Sequence, residues 1–198
     1  MHFEAFSTPA LWLLVVTSLI LLVGIDWRLL ISALGVQYVG VFVLVALTWP
    51  LEMAVIKLVA GWISAAVLGM ELISTSSGKL QQDRVLLSAR LFRFFLAVLV
   101  ILAITSLAPA VTQWMLNATY NQVFGGLLLM GMAVIQLGVS DRPFRVMVGI
   151  LTFLSGFEII YASVETTALV AGALAFFTLS LALIGSYFMT SSTLEADL

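Results

Sequence analysis

Glu158 and Lys57 have the clearest capacity for chemistry in this chain, because each is an ionisable side chain set in otherwise apolar sequence. Glu158 stands in Phe153-Leu154-Ser155-Gly156-Phe157-Glu158-Ile159-Ile160-Tyr161. It is about six residues, or roughly 9 Å of helix, from the end of its span, and Lys57 lies at a similar depth in another. A charged group inside a membrane span is costly unless it is paired or reaches water. Opposite sign and equal depth allow a Lys57–Glu158 ion pair, in which pairing offsets the penalty that burial places on both charges. The competing expectation is that Lys57 snorkels to the outer interface on its four-carbon stem and Glu158 hydrogen-bonds a neighbouring hydroxyl. The shorter Glu158 is expected to serve a proton path or a contact with a neighbouring subunit. Gln37 and Gln136 are neutral amides that can bridge helices or line a wet path, with structural hydrogen bonding the expected role. Thr178 and Ser180 lie near the middle of the last span, where hydroxyls can bond back to the backbone.

Other chemistries are poorly supplied. The chain has no cysteine and a single histidine, His2, at the amino terminus. Thiolate metal sites, iron–sulfur ligation and a His-ligated haem are therefore not expected. No Walker loop, HExxH or G-x-S-x-G pattern occurs. The reading is of a chain with no catalytic residues, no metal site and no cofactor of its own.

The elements that must position these residues are membrane helices. The sequence is 63% hydrophobic and only 9% charged, whereas soluble folds carry roughly a quarter charged residues. The apolar runs are about 16–23 residues long, close to the ~20 needed to cross a hydrocarbon core as a helix. Seven spans are expected, over residues 9–25, 29–48, 51–73, 90–112, 124–139, 144–163 and 167–189. The fold class is all-α, a polytopic helical bundle forming one membrane domain. Pro9 is expected in the first turn of the first helix, where its missing N–H costs nothing. Glu4 and His2 precede that run where a signal peptide would have a basic region, so the helix is expected to be retained.

Charge sets the orientation. All of the eight Lys and Arg residues except Lys57 lie on one side: Arg28, Lys79, Arg84, Arg90, Arg93, Arg142 and Arg145. The other side carries Glu4, Glu52 and Glu165. The positive-inside rule then places the amino terminus outside and the carboxyl terminus, with Glu195 and Asp197, in the cytoplasm of a prokaryotic inner membrane. Trp49, Trp114 and Tyr120 fall at the outer boundary and Trp27 at the inner one, as interface aromatics do. The 74–89 connection is expected to be either a solvated loop or partly an interfacial helix. Asn117-Ala118-Thr119 is a formal glycosylation sequon to which no function is assigned.

Helices 1–3 and 5–7 share a layout. Each group has a helix, a tight charged turn (Asp26-Trp27-Arg28; Asp141-Arg142-Pro143), a second helix, a short turn and a third helix. Superposing Gly40 on Gly156 suggests parallel three-helix repeats in a 3+1+3 order. The units are residues 1–73, a loop and linker helix at 74–121, and 122–198. Phe42 then stands at the position equivalent to Glu158. Small residues in Ala171-Gly172-Ala173, in Gly125-Gly126 with Gly131, and at Gly156 are expected to let helices approach closely.

The stretch from Gln122 to Met189 resembles the K subunit of respiratory complex I and its relatives, component E of hydrogenase-4 and the C subunit of Mrp-type antiporters. The similarity lies in a glycine-containing first helix (Gly125-Gly126-Leu127 to Gly138), an arginine-bearing turn (Arg142, Arg145) and the Gly156-Phe157-Glu158-Ile159 segment. Glu158 falls on the glutamate of that family's second helix. The family's third helix often carries another buried acid, and Thr178 stands there instead. A threonine cannot hold a proton at physiological pH, so this chain departs from a two-carboxylate relay.

The resemblance implies a non-catalytic subunit of a complex I-like or hydrogenase-linked assembly. Its expected partners are other integral membrane subunits and lipid, not nucleic acid, and it is not expected to act alone. A scaffold subunit of another respiratory or photosynthetic complex is the second reading. A small free-standing transporter of the SWEET type is the third, and it is disfavoured because Pro9, Pro50, Pro109 and Pro143 all lie at or near helix ends rather than at hinges. The last span offers no lysine for a retinal Schiff base.

Overall fold

The structure, a computed structural model, describes residues 4–75, 87–115 and 117–196. Among them the order is α1 (Glu4–Val23), α2 (Trp27–Val45), α3 (Leu51–Thr75), α4 (Leu87–Trp114), α5 (Tyr120–Val139), α6 (Pro143–Ala162) and α7 (Ala168–Ala196), with no strand. All seven are long and apolar enough to cross a membrane. The chain is an integral membrane protein with an all-α, polytopic fold. Helices suit that setting because each satisfies its backbone hydrogen bonds internally where lipid offers none. His2, Lys79, Arg84, Asp197 and most of the 74–89 connection lie outside the described residues.

Several helix ends differ from the expected spans, α7 for example reaching Ala196, and two of the differences have a clear local reason. Pro9 lies inside α1 rather than in its first turn. The carbonyl left without its helical donor belongs to Ala5, at the exposed end of the helix, where water can satisfy it. Helix α5 starts at Tyr120, ahead of its apolar run, because Gln122 supports the start. The Gln122 Oε1 accepts from Thr119 N at 2.9 Å and from Thr119 Oγ1 at 3.0 Å. Its Nε2 donates to Leu44 O at 2.9 Å. A buried glutamine thus begins one helix and takes up a carbonyl near the end of another.

The helices form two rows, α1–α2–α3 and α5–α6–α7, stacked so that α1 packs on α5, α2 on α6 and α3 on α7, with α4 against α1 and α5. Hydrogen bonds between rows show that each stacked pair runs in the same direction. Asn121 Nδ2 donates to Ser7 Oγ at the starts of α5 and α1. Gln37 Nε2 reaches Thr152 Oγ1 about midway along α2 and α6. Ser186 and Thr190 donate to Glu71 near the far ends of α7 and α3. Trp49 Nε1, in the turn after α2, donates to Glu165 O, in the turn after α6, at 2.8 Å. The paired residues are 114 to 119 positions apart, bracketing the 116-residue separation of Trp49 and Glu165, which is also that of Gly40 and Gly156.

Close packing uses some of the expected glycines. A Cβ at Gly126 would lie 2.8 Å from Gly156 O, and one at Gly156 would lie 2.6 Å from Gly126 O. The α5 and α6 backbones therefore touch at this point, which only glycine permits. Gly172 is different: nothing lies within 4 Å of its Cβ position, so it faces outward while Ala171 alone of that trio is buried in the core.

One end of the bundle carries the start of α1 and the turns after α2 and α6; this is the amino-terminal face. The other carries Arg28, Arg90, Arg93, Arg142 and Arg145; this is the basic face. Two of these arginines cap helix ends. Arg145 donates through Nη2 to Gly24 O just past α1, and Arg93 donates to Val139 O at the end of α5, at 3.3 Å. A cation at a helix C-terminus meets both the last carbonyls and the negative end of the dipole.

Candidate functional site

Lys57 does not snorkel. It is 3% exposed, and its Nζ is ion-paired with Glu158. The amine donates to Glu158 Oε1 at 2.5 Å and to Thr178 Oγ1 at 2.6 Å. Reach alone would have allowed the side chain to extend to the interface, but neighbouring helices α6 and α7 enclose it and offer two acceptors. Glu158, 1% exposed, is enclosed with Lys57 and Thr178 rather than displayed on the surface of the bundle, and its Oε2 is ion-paired with Lys57 but makes no hydrogen bond among the described residues. Thr178 is fully buried and donates back to Leu174 O at 2.9 Å. Its hydroxyl completes the ion pair's coordination.

Three helices position this triad. Lys57 lies in the second turn of α3, Glu158 one turn before the end of α6, and Thr178 in the upper half of α7. Because α3 packs on α7 and α6 on α7, the three side chains converge. Ser64, further along the same face of α3, donates to Thr178 O at 3.3 Å and to Ala60 O at 2.8 Å, fastening α3 to α7 beside the pair. Tyr38 of α2 closes the fourth side. Its ring centroid is 5.8 Å from Lys57 Nζ, within the range of a cation–π contact. Its hydroxyl is directed at Ser155, one turn before Glu158.

The remaining sequence candidates sit nearer the basic face. Gln37 and Thr152 are joined by a long hydrogen bond of 3.4 Å. Gln136 donates to Arg145 O at 2.9 Å. Neither glutamine touches the ion pair directly. Tyr38, Ser155 and Ser64 were not singled out from sequence. Their signal was present for two of them: Ser155 precedes Glu158 by three residues and Ser64 follows Lys57 by seven, which are same-face helical spacings.

Apolar clusters lie on both sides of the triad, and on the basic-face side buried polar residues accompany them. Toward the amino-terminal face lies a cluster that includes Trp49, Ala54, Ile159, Ala162 and Ala171. Toward the basic face lies another that includes Leu34, Ala65, Leu68, Leu151 and Met189. The site is therefore an enclosed charge pair, chemically able to hold and exchange a proton. No group of three or more His, Cys, Asp or Glu residues that could bind a metal occurs among the described residues.

The chain matches no family model, no curated protein and no solved structure. Its function is therefore argued from the site itself.

Proposed function

We propose that this chain is a non-catalytic subunit of a proton-translocating membrane assembly of the complex I-like or membrane-hydrogenase-like kind, and that Lys57 and Glu158 are its proton-exchanging station. The observation that carries this reading is the enclosed Lys57–Glu158 pair. Replacing a buried ion pair by packed apolar residues is often neutral or stabilising, so a pair kept within the hydrocarbon region is better explained by work than by stability. Moving one proton from Nζ to a carboxylate oxygen breaks an N–H bond, forms an O–H bond and leaves an amine beside an acid. Net charge is unchanged. A second proton can then load the amine, and loss of the acid's proton restores the starting pair.

The outer surface is compatible with a subunit. Helices α4 and α7 expose large apolar side chains along much of their length, including Phe95, Leu102, Phe176 and Tyr187. Such faces suit neighbouring helices as well as lipid. In this reading the basic face is cytoplasmic and the amino-terminal face lies outside, in a prokaryotic inner membrane.

A structural role for the pair is the competing reading. The observation in its favour is that Lys57 and Glu158 are coordinated within the chain, together with Thr178.

Purification of the tagged chain from native membrane in mild detergent tests the subunit reading. Co-purification with other integral membrane subunits of a redox or antiporter assembly is the expected result. A monodisperse monomer that moves a solute in liposomes would end it.

A further inference from the structure

The two sides of the ion pair are chemically unlike. From Glu158 toward the amino-terminal face, α6 continues with Ile159 and Ala162, both enclosed in an apolar cluster with Ala54 and Ala171. From Glu158 toward the basic face, the buried side of α6 presents Ser155 and Thr152 in succession and, beyond the apolar Val148, Arg145, with Leu151 and Gly149 buried alongside. These positions recur at helical spacing along roughly 20 Å of helix. Helices α2 and α5 continue the polarity. Gln37 meets Thr152, and Gln136 meets the backbone of Arg145 while lying against Gly149 one turn away.

Two buried polar atoms facing this stripe are incompletely used. Gln37 is fully enclosed, yet its Oε1 has no hydrogen-bond partner among the described residues. The Tyr38 hydroxyl is directed at Ser155 but makes no hydrogen bond of ordinary geometry. A buried amide oxygen and a buried phenol each lose several kcal/mol of solvation if nothing bonds them, and ordered water is the usual remedy in a polar interior.

We propose that the buried side of α6 between Arg145 and Glu158 is a one-sided hydrated path, linking the ion pair to the basic face and closed toward the amino-terminal face. Water is the ligand, held by the Gln37 amide, the Thr152 and Ser155 hydroxyls and the Tyr38 phenol. The α3–α7 seam is poorer in polar groups: Ser64 and Glu71 are separated by buried, apolar Leu68 and Ala182, whereas on the α6 side Gln136 of α5 meets the backbone of Arg145 past Val148. The path deepens the proton-station reading and rests on it for its purpose, since it makes the pair exchange with one face only until the apolar layer parts.

The absence of native cysteine allows a direct test on the full chain in sealed vesicles of either orientation. Single cysteines are placed at Thr152, Ser155, Leu68 and Ile159, with Thr8 and Asp141, exposed on the two faces, as orientation controls. Silver ion, which is small and combines with thiolate, is added from one side, and the surviving thiol is counted after denaturation. The Thr152→Cys and Ser155→Cys thiols should be consumed from the basic face at least about tenfold faster than those of Leu68→Cys and Ile159→Cys, because thiolate forms only where water reaches. Ser155→Cys is nearly isosteric, so it carries the test if Thr152→Cys folds poorly. Protection of both, or consumption from the amino-terminal face, would overturn the path. Neither result depends on proton pumping, so a dry α6 face would leave the proton station standing, and a wet one would survive its loss.

Discussion

The ring of Tyr38 lies directly on Gly61: a Cβ at position 61 would sit 2.2 Å from Tyr38 Cδ1. Gly61 is one turn from Lys57 on the same face of α3, so the missing side chain is what brings the aromatic ring beside the amine. Tyr38 is fully buried between α2 and α3, and the ring has no room to retreat.

Gly61→Ala should therefore destabilise the fold, although alanine is the better helix former. Forcing extra volume into a packed core costs about 1–3 kcal/mol. Thermal unfolding in detergent should show the loss, and the additional change Tyr38→Ala should relieve the clash. A stability equal to wild type for Gly61→Ala would contradict the placement of Tyr38.

Lys57→Met and Glu158→Leu should each be costly singly and much less so together. Removing one member of a buried pair leaves an uncompensated charge and costs about 3–5 kcal/mol, whereas replacing both is often neutral or stabilising. A double-mutant cycle by reversible unfolding measures the coupling. Additive effects would mean that the two side chains do not meet.

Trp49→Phe should loosen the contact between the turns after α2 and α6 without harming either row. The lost bond from Trp49 Nε1 to Glu165 O corresponds to about 1 kcal/mol. Hydrogen exchange should rise in residues 163–167 first. Unchanged exchange there would show that this bond does not fasten the turns.

Orientation follows from the same cysteine-free background. Thr8→Cys should react with an impermeant maleimide added to intact cells, and Asp141→Cys only after the membrane is opened. Thr8 is preferred to Ser7 because Ser7 is buried and bonded to Asn121. The reverse pattern would invert the topology and the direction assigned to the hydrated path.

The seven spans were legible because hydrophobic run length is a direct consequence of bilayer thickness. The nearness of Lys57 and Glu158 was legible as equal depth and opposite sign. Which of two outcomes Lys57 takes was not, since snorkelling was judged from stem length while enclosure depends on how α6 and α7 pack. Glu71 went unremarked for a related reason: near a helix end a carboxylate looks solvated, yet Ser186 and Thr190 of α7 donate to it. Arg145 read as a surface cation, but it is buried with its guanidinium on Gly24 O. Partners of this kind are set by which helices become neighbours, and no spacing within one helix reveals that.

The most direct test of the proposed station is proton translocation by the parent assembly carrying Glu158→Gln. Glutamine keeps the shape and can still accept from Lys57 Nζ, but it cannot take up a proton. Translocation per assembled complex should fall at least about a hundredfold, the scale on which loss of one proton-transfer group is felt. The yield of assembled complex is measured separately, because Lys57 is left without its counter-charge. Wild-type translocation with Glu158→Gln would contradict the account and leave the Lys57–Glu158–Thr178 cluster as a fastening between α3, α6 and α7.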